Sequence, residues 1–251
     1  SSYSGTTEET LSAYDDARER GAHLLVTSTG GELVERARRD GVPVIPVPAG
    51  FQPRAAIGYS LVSALEAAAL GGAAPSIRDE VEAAADLVET LAVEWGPEGG
   101  DEARDIARAL QETVPVIAGA DLAAAAAYRW KCQLNENAAV PALCSLLPEA
   151  DHNEVVGWAK AGKLGRFSYV SLEDTDAHPR NARRAELTAE IAAAGADPVL
   201  RLQPRGSTRL ERLASLVLLG DLVSIYTAIL NGDDPVEITA IDSLKARLAE
   251  R

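Results

Sequence analysis

An α/β fold is predicted by three features of this chain. Short apolar runs, such as Val114 to Gly119 and Phe167 to Leu172, have the length and branching of buried strands. Alanine-rich segments, including Ala123 to Ala127 and Ala192 to Ala194, favour helix. The two kinds of segment alternate, and strands joined through helices must pair in parallel. Two successive α/β units are read from the alternation, the first missing its beginning and the second complete.

The elements follow in order. Thr6 with Glu9 forms a capping-box pattern that starts a helix, and Gly21 stops it. His23 to Ser28 reads as a buried strand ending at Gly30 and Gly31, and Glu32 to Asp40 as a short helix. Val42 to Val47 reads as a second strand, placed near a sheet edge by Pro43 and Pro46. Arg54 to Leu70 has continuous helical character, and the Gly71 to Pro75 stretch is the first strong break.

Ser76 with Asp79 caps a connector helix that runs to about Trp95. The second unit then supplies the strand Val114 to Gly119, a helix capped by Asp121, and the strand Phe167 to Leu172. A helix from Ala182 to Ala194, stopped by Gly195, and the strand Val199 to Leu202 complete the alternation. Thr208 with Glu211 caps a long helix to Asn231, and a last amphipathic helix ends at Arg251. The expected divisions are residues 1–73 (part of a first domain), 74–112 (helical connector), 113–232 (second domain) and 233–251 (C-terminal helix).

Composition narrows the function. The 251 residues carry a formal net charge of −14, which argues against nucleic acid and anionic membrane as partners. Cys132 and Cys144 have no metal-ligand spacing and read as two buried thiols of a reducing compartment. Leu213 to Leu230 is the most apolar stretch, but Asp221 interrupts it, so a buried core helix is expected rather than a membrane span. A cytoplasmic protein follows. The chain contains no methionine, so N-terminal sequence is expected to lie outside it.

Ser2, Ser4, Thr6 and Thr7 surround Gly5 ahead of a helix start. By itself such a turn is equally a hydroxyl-rich helix cap or an anion site at the positive end of the helix dipole. Three further stretches accompany it in order: Gln52 to Ala56, Asn135-Glu136-Asn137-Ala138, and Pro148 to Glu154, with Ile241 to Leu248 at the end. Together they resemble the bifunctional phosphoglucose/phosphomannose isomerase family, whose members have two sugar isomerase (SIS) domains. The resemblance covers essentially the whole chain. It implies two SIS-type domains, each a parallel sheet sandwiched by helices, the first incomplete, plus a C-terminal helix. It also implies a homodimer.

The same resemblance implies aldose–ketose isomerisation between glucose 6-phosphate, with mannose 6-phosphate as a further substrate, and fructose 6-phosphate through a cis-enediolate, with no metal or other cofactor. Glu136 matches the base, Arg54 the cation that stabilises the enediolate, and Ser2, Ser4 and Thr7 the phosphate grip. His152 matches a ring-opening histidine that reaches into the neighbouring subunit's site, and Lys245 the second ring-opening group. His23 and His178 have no motif support. Two departures stand out. Ala139 follows the Asn-Glu-Asn-Ala motif where lysine is common, and Ile238 replaces a threonine linked to accepting mannose, with Thr239 one place on. The competing expectations are a non-catalytic SIS-domain regulator that binds sugar phosphate, and an isomerase of another phosphosugar.

Overall fold

Parallel pairing, expected from helices alternating with strands, is present in both sheets of the computed structural model, which describes residues 1–250. Two compact units are present, Ser1–Arg78 and a second beginning at Asp79.

In the first unit, α1 (Glu8–Glu19) and α2 (Gly31–Arg39) accompany two strands, β1 (Val26–Ser28) and β2 (Val44–Pro46). The strands pair in parallel with Val26 opposite Val44. Tyr14, Val26, Leu33, Val34 and Ala37 form a small core. The expected strand from His23 is shortened because its partner is short: the N–H of Val26 bonds to Pro43, and pairing ends at Pro46. The Thr6–Glu9 capping box does not form. Thr7 is the N-cap and makes no side-chain capping bond, while the Thr6 hydroxyl donates to Ser4 Oγ at 3.0 Å. The segment expected as one helix from Arg54 begins as a 3-10 turn, Pro53–Ala56, and continues as α3 (Ile57–Leu70).

In the second unit, α4 (Arg78–Glu94) and α5 (Glu102–Leu110) precede a four-stranded sheet ordered β4-β3-β5-β6. The strands are β3 (Val114–Ala120), β4 (Leu143–Leu147), β5 (Phe167–Leu172) and β6 (Ala196–Leu202). Between them lie α6 (Leu122–Asn137), α7 (Trp158–Ala161) and α8 (Pro179–Ala192), followed by α9 (Arg209–Asn231) and α10 (Thr239–Ala249). The sequence reading missed β4, an edge strand with Leu143 and Leu146 exposed. The expected end of the last helix at Arg251 lies outside the described residues.

Alternation along the strands builds two cores. Ile117 and Val170 face α5, α6 and α9, in the cluster that holds Trp130, Leu134 and Leu216. Val116, Ala118 and Tyr169 face the other way, against Trp158 and the α8 residues Ala189 and Ala192. The helices therefore cover opposite faces of one sheet.

Helix α9 is long and apolar enough to cross a membrane by length and composition alone. Its buried residues, among them Leu216, Leu219 and Val223, pack into the first of these cores. Asp221, which interrupts the apolar run, accepts from Arg129 of α6 at 2.9 and 2.7 Å. Burial raises the Asp221 carboxyl above its usual range, an effect the Arg129 guanidinium partly offsets. The capping box expected for α9 is complete: Glu211 N–H donates to Thr208 Oγ1 at 3.2 Å, and Thr208 N–H to the Glu211 carboxylate at 2.7 Å.

Candidate active site

The serine-rich turn is held by its backbone carbonyls. Ser2 N–H bonds to Thr27 of β1 at 3.1 Å, laying the chain beside the sheet. Tyr3 C=O accepts from Thr29 N–H at 3.0 Å, from Thr29 Oγ1 at 2.7 Å and from Ser28 Oγ at 3.3 Å. Gly5 C=O accepts from Leu33 N–H at 2.9 Å. The fit needs two glycines: a Cβ on Gly5 (φ +68°) would lie 1.9 Å from Gly30 O, and one on Gly31 (φ +72°) 2.4 Å from Ser4 O. Among the hydroxyls, Ser2 Oγ lies 3.1 Å from Thr7 Oγ1 and accepts from Gly5 N–H at 3.2 Å. Ser4 Oγ accepts from Thr6 N–H at 3.3 Å. Hydroxyls thus collect at an N-terminus that Thr7 leaves uncapped, which suits an anion. Arg54 lies in the same unit, half-buried in the 3-10 turn that Pro53 starts.

Glu136 sits in the last turn of α6, and polar contacts fasten that helix to α9. Trp130 Nε1 donates to Leu216 O at 2.7 Å, across a site where a Cβ on Gly220 would lie 2.2 Å from the indole nitrogen. The Arg129–Asp221 pair is the second, and Asn137 Nδ2 donates to buried Ser224 Oγ at 2.8 Å. Asn135 Oδ1 accepts from Ala142 N–H at 3.0 Å and fixes the turn beyond the helix. The two amides beside Glu136 therefore hold the helix end that presents it. Nothing in the sequence marked Ser224 or Gly220 for this role; their spacing on α9 is that of ordinary core positions.

A cavity of about 800 Å³ opens at this helix end. Glu136, Ala139, Asp233, Glu237, Ile238, Thr239 and Ile241 are among its lining residues. Both residues at the predicted departure, Ile238 and Thr239, thus share a wall with Glu136. Lys245 is exposed on α10, one turn beyond Ile241 and on the same helix face.

His152 is placed elsewhere. It ends a 3-10 turn (Glu149–His152) that follows the carboxyl end of β4, and it is exposed. Neighbouring Asp151 accepts from Thr188 of α8 at 2.7 Å. Helix α6 returns antiparallel to β3, so Glu136 lies near the amino ends of the strands, on the sheet face opposite α8. The five residues of β4 alone span about 16 Å. The second unit therefore does not bring Glu136 and His152 together on one substrate.

A smaller cavity of about 450 Å³ lies outside the carboxyl ends of β3, β5 and β6, where the strand order reverses beside β3. None of the seven predicted site residues lines it. Its arginines are paired, Arg201 with Glu173 and Arg183 with Glu186. His178 is the N-cap of α8 and accepts from Arg180 N–H through Nδ1 at 3.1 Å, a structural role. The cysteines are free and half-buried rather than buried, and burial pushes the Cys144 thiol upward.

With this geometry in place, comparison with known proteins defines first a class and then a family. Residues 100–248 match the bacterial phospho-glucose isomerase C-terminal SIS domain, so the second unit is a SIS domain. A solved hypothetical protein of Thermus thermophilus shares the fold, with a TM-score of 0.74 at 18% identity over 99% of this chain and 70% of its own. A bifunctional phosphoglucose/phosphomannose isomerase of Caldicellulosiruptor bescii is 40% identical over 255 residues, covering 100% of this chain and 75% of that protein. Its counterpart in Aquifex aeolicus is 36% identical over 98% of this chain and 74% of its own length. The chain belongs to the bifunctional phosphoglucose/phosphomannose isomerase family.

Proposed function

We propose that this protein is an aldose–ketose isomerase that interconverts glucose 6-phosphate, and mannose 6-phosphate, with fructose 6-phosphate. The observation that carries the reading is similarity over the whole of this chain, and about three quarters of theirs, to relatives bearing that name, at 40% identity for the Caldicellulosiruptor protein.

The chemistry is assigned as follows. His152 and Lys245 open the pyranose by moving a proton between the anomeric hydroxyl and the ring oxygen. The Glu136 carboxylate removes the C2 proton of the open aldose, and the electron pair passes through the C1–C2 bond onto the carbonyl oxygen. Arg54 stabilises the resulting cis-enediolate, the O2 hydroxyl proton passes to O1, and Glu136 returns its proton to C1 as the C2 carbonyl forms. Ser2, Ser4 and Thr7 hold the phosphate. The placement of His152 across the sheet from Glu136 supports its acting in the site of a neighbouring subunit of a homodimer. Residues 1–73 and 113–232 are read as two SIS-type domains, with 74–112 and 233–251 as connector and C-terminal helix. A cytoplasmic location fits the acidic chain of net charge −14.

A coupled assay on glucose, mannose and glucosamine 6-phosphates tests the function. Turnover of glucose 6-phosphate is expected, with mannose 6-phosphate turned over more slowly because Ile238 lines the cavity beside Thr239. Tight binding without turnover would replace the isomerase with a sugar-phosphate sensor. Turnover confined to glucosamine 6-phosphate would reassign the substrate.

A further inference from the structure

Tyr3 lies inside the serine-rich turn, yet its side chain leaves it. The phenol hydroxyl donates to Pro48 C=O at 3.1 Å and accepts from Phe51 N–H at 2.8 Å. Those backbone groups are three residues apart across a bend at residues 49–51, the spacing that bonds directly in a closed β-turn. The hydroxyl is inserted between them and holds the turn open.

Both ends of Tyr3 are fixed. Its carbonyl takes the three bonds from Ser28 and Thr29, which anchor the serine-rich turn to the end of β1. Its hydroxyl fixes Phe51, three residues before Arg54. The path between them is stiff: Gln52 is extended (φ −63°, ψ 140°), Pro53 locks the first 3-10 position, and Ala55 N–H closes back on Gln52 C=O at 2.9 Å. A shift at Phe51 is therefore passed on to Arg54 rather than absorbed.

We propose that Tyr3 is a positioning residue whose hydroxyl sets Arg54 at a fixed offset from the serine-rich turn, so that the guanidinium meets the enediolate when the phosphate is seated. The inference rests on the phosphate and Arg54 assignments made above. Loss of the hydroxyl leaves the turn free to close on itself or take up water, and either outcome moves Arg54 while the anchored carbonyls keep the phosphate loop in place.

Tyr3→Phe in the full chain tests this through two inhibitors. Inorganic phosphate reports the loop, and a five-carbon sugar-phosphate hydroxamate, which mimics the enediolate, reports Arg54. Turnover and hydroxamate affinity should each fall about tenfold or more. The inhibition constant for phosphate should stay within about twofold, since its grip is untouched. Wild-type turnover, or equal weakening of both inhibitors, would overturn the proposal. Arg54→Gln separates the layers. If it abolishes turnover while Tyr3→Phe is normal, only the positioning role fails; if it has no effect, the Arg54 assignment fails and the positioning role with it.

Discussion

Helices α1 and α6 both begin at a turn laid against a parallel sheet, and the two turns are furnished in opposite ways. The turn before α1 offers Ser2, Ser4, Thr6 and Thr7, packed onto glycines and leaving the helix end without a side-chain cap. Its carboxylates come only at Glu8 and Glu9, both exposed. The turn before α6 places Asp121 at the N-cap, with φ 50° and its carboxylate accepting from Asn181 at 2.8 Å. A fixed negative charge there satisfies the helix dipole and repels a phosphate. In the proposed assignment one helix start receives an anion and the other is closed to it. The contribution of α6 is at its far end, where Glu136 is presented. On this account, phosphate handling belongs to the first unit and proton transfer to the second.

The largest expected effect breaks the second half of that division. Glu136→Gln removes the proposed base and should lower kcat about a thousandfold or more with little change in KM. Gly31→Ala attacks the first half. Its methyl meets Ser4 O at 2.4 Å and cannot be accommodated without lifting the serine-rich turn. KM should rise some tens of fold, with inorganic phosphate inhibition weakening in parallel and kcat affected less. An unchanged phosphate constant would contradict the assignment of the anion to this turn. The smallest effect sharpens the comparison: Asn137→Ala loses the buried bond to Ser224 and frees the last turn of α6. That costs about 1 kcal/mol of stability, read from thermal unfolding, and kcat should fall about tenfold while phosphate inhibition holds.

Legibility in the sequence followed how local each signal was. The strand Phe167–Leu172 was readable to the residue because its apolar run is nearly all buried. The α9 start was readable because Thr208 and Glu211 close their box within four residues. The similar pattern at Thr6 and Glu9 misled, since the Thr6 hydroxyl turns back to Ser4 and the helix begins later. The edge strand β4 went unseen because its burial is mixed and its pairing partner, β3, lies more than twenty residues earlier in the chain. For the site, motifs marked Glu136 and its flanking asparagines. The residues that hold them, Ser224 and Gly220, lie on another helix, and no local pattern connects them. Asp121 was correctly read as an N-cap position, but its side chain bonds Asn181, sixty residues away, instead of its own helix.

The division of labour is tested most directly by hydrogen exchange at C2 of glucose 6-phosphate in deuterated solvent, measured on Glu136→Gln together with its dissociation constant for fructose 6-phosphate. Exchange should disappear while the constant stays within about threefold of wild type, because the proposed phosphate grip is intact. Exchange at the wild-type rate, or loss of binding in step with loss of exchange, would contradict that division.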